Sequence, residues 1–172
     1  MWLRVRERKR LAIVLALAAA LAPAAARAEA GAASGTISYQ SKAGGVVVAP
    51  RYAYLVKGPD TVTGNIVRRI VLSATDLAPK LRTCGTMMCG DGDMTEGLTI
   101  DLDAGPRINY WFVADGQRIQ YSGTAEPSSL RLTTDTAQRL AGRWDLDARQ
   151  AGGPQVQVEF DAALLKVFTK AH

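Results

Sequence analysis

The stretch CGTMMCGDGDMTEG, residues 84 to 97, holds both cysteines of the chain, three of its four methionines and three acids. Four chemistries use such residues. The first is a disulfide between Cys84 and Cys89. Four residues separate them, a spacing that suits a hairpin or Ω-like loop with the two sulfurs in bonding reach, and an oxidising compartment pairs thiols. Closing so small a loop removes little chain entropy, about 2 kcal/mol, so the bond chiefly fixes the loop's shape. The second is a Cu(I) site, since Cys84, Met87, Met88, Cys89 and Met94 are all soft ligands. An oxidised pair offers copper no thiolate, however, and methionine is also a common filler of apolar gaps.

The third chemistry is calcium. Asp91, Asp93 and Glu96, with Asp101 and Asp103 downstream, begin like an oxygen-ligand loop. The pattern then breaks, because Glu96 stands where the loop needs glycine and Leu102 occupies the twelfth position. A solvated turn is the plainer reading of these acids. The fourth is a catalytic dithiol, which usually takes Cys-x-x-Cys at a helix start rather than this spacing. The prediction is a structural disulfide and no cofactor, with Ca2+ through Asp91, Asp93 and Glu96, or Cu+ through the sulfurs, as the alternative.

Elsewhere the chain offers little to a reaction. Its one histidine is His172, the last residue, so no imidazole is held in place for a Ser-His-Asp or Cys-His mechanism or for a histidine zinc centre. No glycine-rich phosphate loop joins a strand to a helix. Ser128 and Ser129 have no lysine at a Ser-x-x-Lys spacing. A carboxylate hydrolase needs only two acids at the right separation and stays as a further alternative. The acids lie on predicted wet faces and turns, so the expectation is a protein that is not an enzyme.

The N-terminus carries an address. Arg4, Arg6, Arg8, Lys9 and Arg10 precede the uncharged LAIVLALAAALAPAAA, and ARA at 26–28 is a small-x-small cleavage site. Residues 1–28 are therefore read as a cleavable signal peptide, 29–35 as a flexible lead-in and 36–172 as one domain. The whole chain has 21 basic and 16 acidic residues, and the leader holds six of the former and one of the latter. Fifteen of each sign remain. That balance argues against nucleic acid or an anionic membrane as partner. No later segment is apolar enough over sufficient length to insert into a bilayer.

Those residues must be positioned by strands, because period-two alternation recurs. It appears in LTIDL (98–102), with Leu98, Ile100 and Leu102 inward and Thr99 and Asp101 wet, and in RIQYS, LRLT, RWDLD and QVQVEF. RINYWFV and RIQYSGT across ADGQ form the clearest hairpin. Its first strand is apolar on both faces, which predicts either a central strand or an exposed Trp111. GTISYQ, GVVVAPRYAYLV and NIVRRIVLS add about three strands, and Pro50 ends, bends or edges the second. Turns are predicted at 44–45, 58–60, 115–116 and 152–154. Helical turns are predicted at 73–81, with Ser73 or Thr75 as cap, and at 134–142, with Thr134 or Asp135 as cap. DAALLKVFTK (161–170) fits either a helix or a last strand.

The fold expected is an all-β antiparallel sandwich of about eight to ten short strands with one or two single-turn helices; a closed barrel is the second choice. The function expected is that of a soluble, exported binding module, periplasmic or secreted, in a Gram-negative-like bacterium. Its partner is expected to be a protein or a small molecule or glycan of the cell envelope. The disulfide-pinned loop, with Met87 and Met88, and the face carrying Trp111 are the predicted contact surfaces. The second function is metal handling through the same loop.

Overall fold

The computed structural model describes residues 31–172, except 43, 104, 106, 125 and 126. The leader read at 1–28 lies outside the described residues. Ten strands follow in chain order: β1 (Gly31–Ser41), β2 (Gly44–Val48), β3 (Tyr52–Pro59), β4 (Ile66–Ser73), β5 (Gly97–Asp101), β6 (Arg107–Ala114), β7 (Gln117–Thr124), β8 (Leu130–Asp135), β9 (Arg139–Asp147) and β10 (Gln155–Val167). A short helix, α1 (Ala78–Thr83), and a 3-10 turn (Met87–Gly92) stand between β4 and β5.

Hydrogen bonds join the strands in the order β7-β6-β5-β4-β3-β1-β10-β9-β8. β2 pairs with the second half of β1, and the end of β10 runs parallel to β3. The outer strands β7 and β8 are not paired with each other, so the sheet is unclosed. The chain is an all-β sandwich, and the barrel alternative is set aside. One face of each half turns inward. Leu55, Ile70, Leu72, Leu98, Ile100, Tyr110 and Phe112 meet Trp144, Val156, Val158 and Phe160 in a single core. The alternation in the sequence is the cause, since residues two apart share a face of a strand.

The predicted hairpin is β6 and β7, closed by Asp115 (φ 51°) and Gly116 (φ 72°). Two successive positive φ values give the turn twist that matches paired strands, and Asp-Gly tolerates them. Pro50 lies in the gap between β2 and β3. Residues 161–167 belong to a strand, not a helix.

Four expectations fail locally. Within the stretch read as a lead-in, residues 31–35 are already strand. Residues 32 to 38 pair with β10, from Ala32 opposite Asp161 to Ser38 opposite Gln155. Its small residues serve close approach: a Cβ on Gly35 (φ 111°) would lie 2.1 Å from the Gln157 carbonyl oxygen. The helix expected at 134–142 is a hairpin instead. Thr136 Oγ1 accepts the N–H groups of Gln138 (3.3 Å) and Arg139 (3.0 Å). That is the same hydroxyl-to-backbone chemistry as a helix cap, used here to turn a strand. At 73–81 the helix starts only at Ala78, whose N–H is taken by Asp76 Oδ1 at 2.8 Å. Gly58 and Pro59 remain in β3, and the turn follows at Asp60. There Asp60 Oδ2 accepts the N–H and hydroxyl of Thr63.

Candidate functional site

The segment between β4 and β5 folds over the outer face of β3, β4 and β6. Under it lies a second apolar cluster: Tyr54, Val56, Val67 and Val71 from the sheet, Leu77, Leu81, Met87 and Met94 from the segment, and Trp111 and Phe168. Trp111 is 1% exposed and Met87 3%. Neither is an open contact surface here; both are the packing between loop and sheet. Met88 is half-buried. The double-sided apolar character of β6 thus reflects a central strand covered on both faces.

Several ties hold the segment down. Cys84 and Cys89 form a disulfide, with 5.6 Å between their Cα atoms. The Tyr54 hydroxyl donates to Asp76 Oδ1 (2.7 Å) and accepts from Leu77 N–H (2.9 Å), fixing the start of α1. Burial raises the Tyr54 pKa, and the Asp76 hydrogen bond adds to this. At the other end, Ala74 N–H donates to the Glu96 carbonyl, closing the loop at its base. Met87 and Met88 N–H groups donate to the carbonyls of Lys170 and Ala171. The fit is tight: a Cβ on Gly90 would sit 2.5 Å from Leu81 Cδ2.

Beneath the 3-10 turn, the sheet face changes from apolar to charged. Thr99 and Asp101 were expected on a wet face, yet they are 1% and 3% exposed. Asp101 is held by Arg69 through two bonds, Nε to Oδ1 at 2.6 Å and Nη2 to Oδ2 at 2.9 Å. Arg69 Nη1 reaches Met88 Sδ (3.3 Å) and Asp91 Oδ2 (3.4 Å). Arg107 bonds Asp60 Oδ1 and reaches Asp101 Oδ2 at 3.4 Å. Alternation alone misses this, because a buried carboxylate with a cation beside it has the same polarity in sequence as a wet one.

The electrostatics follow from that burial. For Arg69, burial lowers the pKa, but hydrogen bonds and charge from Asp101, and charge from Asp91, more than offset it. Asp91 goes the other way. Burial pushes its carboxyl up to about 6, Asp101 adds to the rise, and Arg69 and Arg118 oppose it.

Beside this cluster opens a cavity of about 220 Å3, walled by Arg69, Met88, Asp101, Arg107, Asn109 and Ser122, among others. Asn109 Oδ1 accepts from the Ser122 hydroxyl at 2.6 Å. Arg107 Nε is buried without a hydrogen-bond partner among the described residues. Arg107, which lines the cavity, thus keeps one buried unpaired donor, while the cavity's carboxylate, Asp101, is already engaged by Arg69.

The predicted metal ligands are not brought together. Asp91 faces Arg69, whereas Asp93 Oδ2 is ion-paired with Lys80 Nζ at 2.9 Å. Among the described residues no group of three or more Cys, His, Asp or Glu side chains is placed to hold an ion. For Cu+, both sulfurs of the thiolate pair are committed to the disulfide. No family model, no curated protein and no solved structure matches this chain.

Proposed function

We propose that this chain is an exported, non-catalytic binding module of the bacterial cell envelope, periplasmic or secreted, and that its partner is recognised at the cavity beside the disulfide-pinned loop. One observation carries the reading. A concave polar site with an unspent guanidinium N–H lies against a loop fixed by a covalent bond and by the chain's own tail. Recognition favours such pre-formed concavities with a few placed polar groups. The leader pattern and the balanced mature charge support export and argue against nucleic acid. The ligand suited to the cavity presents acceptor oxygens, as a glycan hydroxyl or a peptide carbonyl does, to Arg107 and Asn109.

The test is retention from envelope extract on immobilised mature protein, with Asn109→Ala as the control surface. Asn109 is on β6 and its side-chain bond is to Ser122, so thermal stability should stay close to wild type. The expected result is a partner retained by wild type and lost by the variant. An identical retained set for both proteins, or chemical conversion of the retained species, would refute the reading.

A further inference from the structure

A second cavity lies on the other side of the β6–β7 hairpin, between the two layers of the sandwich. Its volume is about 190 Å3. Ile108 and Tyr110 of β6 and Tyr121, Gly123 and Thr124 of β7 form one wall; Leu146 of β9 and Ala148, Ala151, Gly153 and Pro154 form the other. Among the described residues no charged side chain lines it. Tyr39, Phe112 and Tyr121 surround Tyr110, with ring centroids 5.6, 5.9 and 4.9 Å away. Opposite Ile108, Gly123 leaves its side-chain space to the Tyr121 ring, since a Cβ there would lie 3.1 Å from Tyr121 Cε1.

The chemical signal is the Tyr110 hydroxyl. Tyr110 is 1% exposed, and its hydroxyl has no hydrogen-bond partner among the described residues. Tyrosine hydroxyls in such places normally find a partner, because leaving a buried donor unpaired costs about 1–3 kcal/mol. Phenylalanine would fill the same volume without that cost. A hydroxyl kept in an apolar cavity, beside a half-buried Tyr121 at its edge, is explained if an acceptor enters with a ligand.

We propose that this inter-layer pocket binds a small, neutral ring compound carrying one carbonyl-type oxygen, which accepts the hydrogen bond of Tyr110. The absence of charge in the lining selects a neutral ligand. The volume selects one ring with a short substituent, since an apolar cavity of about 150 Å3 takes benzene. Tyr121, on the edge strand, is the side chain that moves to admit it. The pocket shares Ile108 and Gly123 with the wall of the charged cavity but none of that cavity's polar side chains.

Two probes of nearly equal shape test the assignment: acetophenone, which has the acceptor, and ethylbenzene, which lacks it. Each is titrated into the mature protein and followed by amide shifts in 15N-labelled protein. Acetophenone should bind about tenfold more tightly than ethylbenzene, the ratio expected when an unpaired buried donor gains a partner. Shifts should centre on Ile108, Tyr121, Leu146 and Ala148. Tyr110→Phe should melt no lower than wild type and should reduce the preference to about one. Ala148→Leu should abolish binding of both. Equal affinity of wild type for the two probes, shifts centred elsewhere, a preference that survives Tyr110→Phe, or no binding of either probe would each overturn the proposal.

Discussion

The Arg118 guanidinium lies over the Trp111 ring, 5.9 Å from its centroid, while its Nε donates to the Met94 carbonyl. A second nitrogen of the same side chain bonds the Asp91 carbonyl. One cation on the edge strand β7 thus pins the tail of the loop and caps the indole beneath it.

Arg118→Ala should therefore loosen the loop without unfolding the sandwich. The lost contacts are a cation–π pair and two charge-assisted hydrogen bonds at a partly exposed site, together about 2 kcal/mol. Hydrogen exchange should speed up over residues 88–96 while β9 and β10 stay protected. Unchanged exchange across 88–96 would mean that the loop is held by its other ties.

Removing one partner of the buried Arg69–Asp101 pair should be far more costly. Arg69 and Asp101 side chains are 5% and 4% exposed, so Asp101→Ala leaves a cation with little water to solvate it. The expected loss is about 3–5 kcal/mol by urea unfolding. Replacing both, with Arg69→Met and Asp101→Leu, should recover much of it. If the double variant is as unstable as the single, the pair contributes through geometry the aliphatic residues do not reproduce.

Asp91 predicts a pH dependence with a definite sign. Its folded-state carboxyl is raised from 3.8 to about 6, so the folded chain keeps a proton that the unfolded chain releases. The favourable contribution is complete below about pH 3.8 and is lost as pH rises through 6. The contribution is worth up to about 3 kcal/mol at 1.36 kcal/mol per unit. Asp91→Asn should remove it, so the variant gains on wild type between pH 4 and 7. Asp76, Asp103, Asp147 and Asp161 are shifted down and act with the opposite slope at lower pH. The wild-type minus variant difference isolates Asp91, and a flat difference would count against its burial.

Opening the disulfide should cost little stability and much order. Cys84→Ser with Cys89→Ser is expected to lose about 2 kcal/mol. Because Trp111 is covered by the segment that this bond shapes, its fluorescence should move to the red in the variant before global unfolding. An emission maximum equal to that of wild type would show that apolar packing alone shapes the roof.

Much of this framework is legible in the chain. Asp115-Gly116 between two alternating runs marks the β6–β7 hairpin, and a lone cysteine pair in a short loop marks the disulfide. What escapes has common causes. Asp101 looks wet because polarity in a sequence does not distinguish water from an arginine partner, and Thr99 beside it is buried with its hydroxyl unpaired among the described residues. Thr134 and Asp135 look like caps because side-chain oxygens serve caps and turns alike, and here the neighbouring Thr136 makes the turn. Residues 31–35 look loose because small side chains suit both disorder and the closest strand contacts. The inter-layer pocket joins residues 108–124 to 146–154, and no local pattern records that two such segments face each other.

β1 sits between β3 and β10, so the earliest described strand and the latest share the seam of the sheet. A growing polypeptide cannot seal that seam until about residue 161 has arrived, however well its hairpins have already paired. Closure is thus a long-range event, deferred behind every local hairpin and slower than any of them.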